Sequence, residues 1–345
     1  MVTRCGAVVP KNRKDYDGIL VSVCVQTYQH AQYIRQAVDS ILMQNTDFEF
    51  EILLGEDGST DGTREICLEY AEKYPGKIRV FQNSREDVIY VNGRPTGRSN
   101  FLNNVRNSRG KYIALLPGDD YWTDHDKLQK QVDILERDDN VVACHHWHEH
   151  RYENGIRNVG TPKKGHGYYP RKVASVKEIF ENRLRLKSRT LMFRNLVDDR
   201  FFPDWFNKIA FGDVALSFIL GQFGDFYFID EPMAAYRLTG KGVSTAGWTP
   251  DDSEMWMREH NLSYVEIWNH ANRLHAYRYN RQTINSIVYF LKDIMQKSEK
   301  PVYAFFYIIF FLLNNRNDRI RNRWAMSVQL SKYAMICLWS GGIQR

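Results

Sequence analysis

The chain has 345 residues, with 47 lysines and arginines against 41 aspartates and glutamates and a formal net charge of +6. Hydrophobic residues make up 43% of it, which excludes disordered, collagen-like and low-complexity proteins. Residues 301–345 carry six basic side chains and one acidic one, so the first 300 residues have a net charge of only +1. The charge excess is therefore local, and we expect no nucleic-acid partner for the near-neutral main region.

Strand-like and helix-like segments alternate along the first two thirds of the chain. Short apolar runs rich in β-branched residues predict strands at 19–25, 50–54, 78–81 and 112–116. Apolar residues recurring on one face predict helices at 34–42, 63–74, 100–106 and 127–137. Because strands separated by helices need crossover connections, we expect an α/β fold with a mainly parallel sheet flanked by helices.

Ligands of such sheets bind beyond the carboxyl ends of the strands. Here the loops that follow three predicted strands are 26–29, 56–63 and 117–122, and two of the three carry clustered carboxylates. None contains Gly-x-Gly-x-x-Gly or a Gly-Lys-Ser/Thr phosphate loop, which argues against dinucleotide dehydrogenases and Walker-type NTPases.

Asp119 and Asp120 form a carboxylate pair at the end of the strand at 112–116. Such a pair suits Mn²⁺ or Mg²⁺, which would keep open positions for phosphate oxygens and offset the charge of a diphosphate. The alternative is a turn that caps the helix beginning near Asp126. Asp57 is likewise open to two readings, because Glu-Asp-Gly-Ser is common turn chemistry and Ser59 or Asp61 could cap the next helix.

Four segments occur in a recognisable order: 21–28, 34–44, 56–63 and 110–122. Together they resemble the family 2 glycosyltransferases over about residues 18–244. The resemblance implies a GT-A fold and the use of nucleotide-diphosphate sugars. We expect an N-terminal extension, a catalytic domain with a nucleotide-sugar half and an acceptor half, and a helical C-terminal region. These parts are expected at 1–17, 18–248 (halves 18–125 and 126–248) and 249–345.

The resemblance also implies roles for individual residues near the nucleotide. Gln26, Thr27 and Tyr28 fall where the family contacts the base, with Tyr28 able to stack on it. Asp57 falls where a carboxylate accepts a hydrogen bond from a pyrimidine, typically uracil.

In the metal motif, the resemblance implies that Asp120 is the direct ligand and that Asp119, also assigned to the metal site, lies nearer the ribose or sugar. The family motif is Asp-x-Asp, whereas in this sequence glycine, Gly118, stands in place of the first aspartate. This shortened form weakens the expectation that both aspartates bind the metal.

The acceptor half contains Gly212, Asp213 and Leu216, which match the family motif Glu/Gly-Asp-x-x-Leu about 90 residues after the metal turn. An inverting transferase needs one carboxylate to remove the proton of the acceptor hydroxyl. The resemblance implies that Asp213 is this base. From the residues alone, an N-cap for a helix at 214–220 is the alternative.

The next family motif, Tyr-Arg-x-His, is imperfect because Thr239 replaces the histidine. Arg237 or Lys241 is then expected to pair with the diphosphate, and nearby glycines suggest a flap that closes over the donor. Arg98 is a further diphosphate candidate, with a surface arginine as the alternative.

Three histidines, His146, His148 and His150, alternate along a predicted strand that starts at Val141. They could form a zinc site. Strand neighbours on one face lie about 6.5–7 Å apart, which favours instead a half-buried strand that borders the acceptor groove.

From about residue 250 the pattern is helical, and 302–313 is apolar on all sides. A membrane span needs about 20 residues, so this run and the arginines after it predict peripheral association with an anionic membrane. A helical cap on the catalytic domain or a dimer contact is the alternative. The N-terminus lacks a signal-peptide pattern, and five cysteines without a Cys-x-x-Cys pair predict free thiols and a cytoplasmic location.

The sequence thus predicts an inverting, metal-dependent glycosyltransferase. It is expected to move a sugar from a nucleotide-diphosphate donor, with uridine diphosphate the expected carrier, to a saccharide or lipid-linked saccharide. Synthesis of a cell-surface or capsular polysaccharide is the expected setting. The alternative is a non-catalytic nucleotide-sugar-binding or membrane-bound scaffold whose site has decayed.

Overall fold

The computed structural model describes residues 18–152, 171–238 and 253–298. The strands are β1 (Ile19–Thr27), β2 (Glu49–Glu56), β3 (Ile78–Gln82), β4 (Tyr90–Val91), β5 (Arg94–Pro95), β6 (Tyr112–Pro117), β7 (Tyr121–Trp122), β8 (Val141–Tyr152), β9 (Val173–Ala174), β10 (Met192–Arg194) and β11 (Asp225–Leu238). The helices are α1 (Ile34–Leu42), α2 (Thr63–Lys73), α3 (Arg98–Arg106), α4 (Lys127–Arg137), α5 (Val176–Phe180), α6 (Gly212–Leu220), α7 (Ser253–Leu274) and α8 (Asn280–Lys297). The four strands and four helices predicted above are confirmed, with ends that coincide or differ by at most two residues.

One large sheet carries the fold, in the order β3-β2-β1-β6-β10-β8-β11-β7, with β9 paired to β11. The strands β3, β2, β1 and β6 are all parallel, as crossover helices require. The second half is mixed, because β10 runs antiparallel to both β6 and β8, while β8 and β11 are parallel. The expected α/β fold is therefore observed, with its parallel part in the half that was predicted to bind the nucleotide.

Apolar strands covered by helices form the core. The central strands β1 and β6 are buried along almost their whole length, and α1 contributes Ile34, Val38 and Ile41 to the same cluster. Two strands buried on both faces read as continuous apolar runs rather than alternating ones, which is why they could be predicted from the sequence.

Two buried asparagines connect helix α3 to the sheet. Asn104 Nδ2 donates to the carbonyls of Val25 and Leu53, and Asn100 Nδ2 donates to the carbonyl of Gly55. A Cβ atom at Gly55 would lie 1.8 Å from Asn100 Oδ1, so only glycine fits there. These contacts fix α3 against β1 and β2, close to where both strands end.

The described residues divide into two compact units, with Phe180–Asn182 and 253–298 forming the smaller one. In that unit the carbonyl of Phe180 accepts hydrogen bonds from Trp268 Nε1 (3.0 Å) and Ser286 Oγ (2.6 Å). The Phe180 ring stacks on Tyr279, with ring centres 4.7 Å apart. The described part of the C-terminal region, 253–298, is thus helical, as expected, whereas the predicted domain bounds stay predictions.

None of the helices within the described ranges is long and apolar enough to cross a membrane. Cys24, Cys67 and Cys144 are buried free thiols, as predicted. Cys5, Cys337 and the expected membrane-binding segment 301–345 lie outside the described residues.

Candidate active site

Tyr28, Asp57 and Arg85 lie together where β1 and β2 end. The backbone N–H of Asp57 donates to the carbonyl of Thr27 (3.1 Å), which places Asp57 beside Tyr28. Arg85, from the short turn Arg85–Asp87, donates from Nη1 to Asp57 Oδ2 at 2.8 Å. Its guanidinium carbon also lies 4.2 Å from the centre of the Tyr28 ring. Tyr28 is 40% exposed, so this aromatic ring remains open to a ligand.

Two polar atoms at these strand ends have no hydrogen-bond partner in the part of the chain that the structure describes: Asp57 Oδ1 and Gln26 Nε2. Both are buried, and burial raises the pKa of Asp57, an effect that Arg85 opposes. Buried polar groups are nearly always satisfied in folded proteins. A free acceptor and a free donor at neighbouring strand ends therefore favour a polar ligand here.

Asp119 lies at the end of β6, on the exposed side of the metal turn that was predicted. Its side chain is 22% exposed, and Oδ2 lies 4.0 Å from His30 Nε2. The N–H of Gly118 donates to the carbonyl of Gln26 (2.8 Å), which ties the turn to the end of β1. Asp119 is thus a carboxylate that a cation in the site can reach.

Asp120, the expected direct metal ligand, is buried and bound by two arginines. It is 1% exposed; Oδ2 accepts a hydrogen bond from Arg189 Nε (2.6 Å), and Oδ1 accepts one from the N–H of Arg237 (3.0 Å). Burial raises its pKa to about 6, although Arg189 acts in the opposite direction. Each Asp120 oxygen thus already accepts one hydrogen bond from the protein, whereas Asp119 is the more exposed carboxylate; which of the two binds a metal stays a prediction.

The capping alternative for this aspartate pair is wrong. β7 follows the pair directly, and Asp126 occupies the N-cap position of α4. The N–H of Asp126 is bound by Asp124 Oδ1 at 2.7 Å. The capping alternative for the loop 56–63 is also wrong, because Gly62 is the N-cap residue of α2 and no side chain caps this helix; Asp61 Oδ1 instead accepts from the N–H of Thr63 at 3.0 Å.

Arg237, a predicted diphosphate ligand, lies on β11. Its guanidinium carbon lies 4.6 Å from the Tyr121 ring centre and 5.1 Å from that of Tyr33, and Nη2 donates to Gln36 Oε1. Diphosphate binding by this side chain stays a prediction. Lys241, the other candidate, lies outside the described residues, as does Thr239.

Asp213 lies in the first turn of α6, half-buried, at the end of a turn that follows 204–208. Phe211 is the N-cap residue and no side chain caps this helix, so the N-cap alternative for Asp213 is wrong. Its Oδ1 accepts a hydrogen bond from the N–H of Val214 (2.9 Å). Arg98 and Lys187 are close enough for their charges to act on this carboxylate.

Arg98 is buried, with 5% exposure, so the surface-arginine alternative is wrong. Its Nη1 donates to the carbonyl of Phe206 and its Nη2 to that of Ile209 (3.1 Å). A Cβ atom on Gly212 would lie 2.9 Å from Nη2, so the guanidinium packs directly under the residue before Asp213. Diphosphate binding by Arg98 stays a prediction, but two of its nitrogens already hold the segment that leads to Asp213.

The three histidines lie on β8, which is longer than predicted. His146 is buried, whereas His148 and His150 pack on the Tyr236 ring, with ring centres 6.1 and 5.7 Å from it. Within residues 18–152, 171–238 and 253–298, no group of three His, Cys, Asp or Glu side chains is arranged to hold a metal ion. A half-buried strand is therefore the better description than a zinc site, as the spacing indicated.

Comparison with known proteins identifies the family. The sequence model of glycosyl transferase family 2 matches residues 22–201, more than half of the chain. The chain belongs to glycosyl transferase family 2.

Curated relatives of this family 2 member are distant. An uncharacterized protein of Mycobacterium tuberculosis, Rv1520, is 29% identical over 253 residues, which cover 70% of this chain and 66% of the relative. The chain thus spans just under two thirds of that relative's length. An uncharacterized glycosyltransferase of Nostoc sp. (strain PCC 7120) is 32% identical over 128 residues, 36% of each chain.

Solved structures show the same fold. Crystal structures of S. aureus TarS 1–349 match over 95% of this chain and 93% of theirs, at 14–16% identity and TM-scores of 0.51–0.52. Together with the family match, this likeness confirms the GT-A type fold and a glycosyltransferase as the class of enzyme.

Three residues in the site of this family 2 transferase were not predicted: Arg85, Arg189 and His30. Arg85 and Arg189 lie in polar loops or short 3₁₀ turns, where a sequence has no periodicity to place a side chain. His30 directly follows the loop 26–29. Its closeness in sequence to the end of β1 was the one feature that could have marked it as a site residue. The carboxylates were found because they cluster at strand ends, whereas their cationic partners come from elsewhere in the chain.

Proposed function

We propose that this glycosyltransferase uses a uridine-diphosphate sugar as its donor. The observation that carries the proposal is the pair of buried, unpaired atoms at the ends of β1 and β2, with Tyr28 beside them. Uracil presents an N3–H donor between two carbonyl acceptors. Asp57 Oδ1 matches the N–H, while Gln26 Nε2 and the Arg85 guanidinium can donate to the carbonyls.

The same geometry disfavours guanine. The pairing edge of guanine carries two adjacent N–H donors, which a carboxylate accepts best with both oxygens. Here Oδ2 of Asp57 already accepts from Arg85, so a single oxygen remains. The TarS structures include complexes with UDP and UDP-GlcNAc, which supports a uridine carrier without indicating the sugar.

A divalent cation, Mn²⁺ or Mg²⁺, fits beside Asp119. Such ions are bound through one or two carboxylates with substrate phosphates completing the shell, so the lack of a three-residue cluster in the described ranges is compatible with one. When bound, the ion would neutralise charge on the diphosphate leaving group. Asp119 would hold it, and Asp120, fixed by Arg189, would position the turn.

Asp213 is the proposed base of an inverting reaction. Its carboxylate takes the proton of the acceptor hydroxyl as that oxygen attacks the sugar carbon from the face opposite the diphosphate. The bond from that carbon to the diphosphate oxygen breaks, and UDP leaves with the electron pair. Arg98 and Lys187 lie close enough for their positive charges to act on this carboxylate, and they would offset its negative charge beside the acceptor.

The acceptor is proposed to be a saccharide or lipid-linked saccharide of a cell-surface polysaccharide. Supporting features are the half-buried aromatics around Tyr236 and the basic, apolar segment 301–345, which would bind an anionic membrane surface from the cytoplasmic side. Removal of residues 301–345 should release the protein from anionic liposomes in co-sedimentation. Equal co-sedimentation of both forms would contradict this part of the proposal.

The test of the transferase proposal is UDP release from a panel of UDP-sugars with Mn²⁺, in wild type and in Asp213→Asn. We expect release from at least one donor, and about a 100-fold or larger loss in Asp213→Asn with UDP affinity unchanged. Asp204→Asn, an exposed aspartate on the preceding turn, is the matched control. A wild-type protein that binds UDP but turns over no donor would favour the non-catalytic scaffold.

A further inference from the structure

His30 is an unexplained nitrogen base inside the proposed donor site. It follows β1, whereas Asp119 follows β6, yet Nε2 of His30 lies 4.0 Å from Oδ2 of Asp119. Both side chains are 22% exposed, so solvent and ligands reach the space between them.

Two threonines hold His30, one through its backbone and one through its imidazole ring. The backbone N–H of His30 donates to Thr63 Oγ1 at 2.8 Å, and Nδ1 lies 3.2 Å from Thr27 Oγ1. In the tautomer with the proton on Nδ1, this nitrogen donates a hydrogen bond to Thr27 Oγ1, and Nε2 keeps a free lone pair on the side of Asp119. Metal-binding histidines are typically oriented in this way, by a hydrogen bond from the second ring nitrogen.

Gly118 brings the two loops together. A Cβ atom at this position would lie 2.7 Å from Thr27 Oγ1 and 3.0 Å from His30 Nδ1. Any larger residue would push the turn that carries Asp119 away from His30. Glycine stands where the family motif has its first aspartate, and this allows the turn to lie against the His30 imidazole.

We propose that His30 Nε2 and the Asp119 carboxylate are two ligands of one divalent cation at the donor diphosphate. The inference rests on the proposed function, because the diphosphate and water supply the remaining ligands. Atoms that bind one ion at about 2.1 Å lie about 3 Å apart when adjacent and about 4 Å apart when opposite. The observed spacing therefore accommodates an ion with little movement of either side chain.

The ligand pair has a consequence for metal choice. Mg²⁺ prefers oxygen ligands, whereas imidazole nitrogen favours first-row transition ions. A His–Asp pair should bind Mn²⁺ more tightly than Mg²⁺. Replacing His30 by a residue with an oxygen donor should remove most of that preference.

The experiment measures Mn²⁺ binding by electron paramagnetic resonance in the presence of UDP, and Mg²⁺ binding by competition. In His30→Gln we expect Mn²⁺ affinity to fall about tenfold or more, since even residues behind metal ligands change affinity by 10–100-fold. Mg²⁺ affinity should change less than about threefold, a bound set by the oxygen preference of this ion. His125→Gln, an exposed histidine before α4, is the matched control and should behave as wild type.

Thr27→Val removes the partner of Nδ1 while His30 stays, and it should lower Mn²⁺ affinity severalfold even if His30→Gln fails to fold. Unchanged Mn²⁺ affinity in both folded variants would overturn the inference. So would an equal loss of Mn²⁺ and Mg²⁺ affinity, which would show that His30 only orients Asp119. In each of these outcomes wild type still binds UDP, whereas a wild type that binds no UDP overturns the proposed function itself.

Discussion

Replacing Arg98 by methionine tests whether this residue supports the catalytic loop or binds the diphosphate, the two roles that sequence and structure give it. The variant keeps the length of the side chain and removes the guanidinium. It therefore abolishes the hydrogen bonds to the carbonyls of Phe206 and Ile209 and the contact with the Phe206 ring, whose centre lies 4.3 Å away.

The size of the effect follows from these contacts. Two hydrogen bonds from a charged group contribute about 1.5–3 kcal/mol each, and a desolvated cation–π contact contributes about 2 kcal/mol. Burial opposes them, since it lowers the pKa of Arg98 to about 10. That shift corresponds to about 3 kcal/mol, which methionine would recover. We expect the free energy of unfolding to fall by about 2–5 kcal/mol.

The assays are urea unfolding followed by tryptophan fluorescence, UDP binding by calorimetry, and the turnover number of transfer. Beyond the loss of stability, we expect turnover to fall about tenfold or more, because the segment before Asp213 loses its support. UDP affinity should change less than about threefold, within 1 kcal/mol. Arg106→Met, an exposed arginine on the same helix, is the control. A variant with normal stability and tenfold weaker UDP binding would refute the reasoning and restore Arg98 as a diphosphate ligand.

Two further predictions concern the base pocket and acid stability. Arg85→Met should weaken UDP binding about tenfold in calorimetry, because a hydrogen-bond donor to the base and the guanidinium that contacts the Tyr28 ring are lost. An affinity equal to that of wild type would contradict the proposed role of Arg85 in binding the base. Burial lowers the pKa of His145 to about 3, so the unfolded chain binds a proton below pH 6.5 that the folded one does not. Stability should therefore fall by about 1 kcal/mol between pH 7 and 5.5 through this residue. In urea titrations the free energy of unfolding of His145→Leu should fall less between pH 7 and 5.5 than that of wild type. Equal decreases would contradict the lowered pKa of His145.

The nucleotide half of the fold was predictable because its strands are buried on both faces. A continuous apolar run such as β1, bounded by polar turns, has few other interpretations. The acceptor half was less predictable, since β10 has only three residues and the pairing of β11 with β8 shifts register around Pro232. Such strands are too short, or too irregular in their alternation of apolar and polar residues, to be recognised in a sequence.

Part of the candidate site was predictable because its residues follow strand ends. Asp57 and Asp119 were identified in this way, and the structure places both on loops after strands. Asp213 was identified only through the family motif, and it lies in the first turn of a helix. The roles of Asp120 and Arg98 were harder to assign, because a sequence does not show whether a charged side chain meets solvent or a buried partner. That depends on contacts such as Asp120 with Arg189, 69 residues apart.

The most direct test of the account is a comparison of UDP and GDP binding to the wild-type protein by calorimetry, with Mn²⁺ present. The contacts among Tyr28, Asp57 and Arg85 predict a dissociation constant at least about tenfold lower for UDP, since one missing hydrogen bond to a buried polar group costs about 1–3 kcal/mol. Equal affinities, or tighter binding of GDP, would contradict the proposed uridine-diphosphate donor.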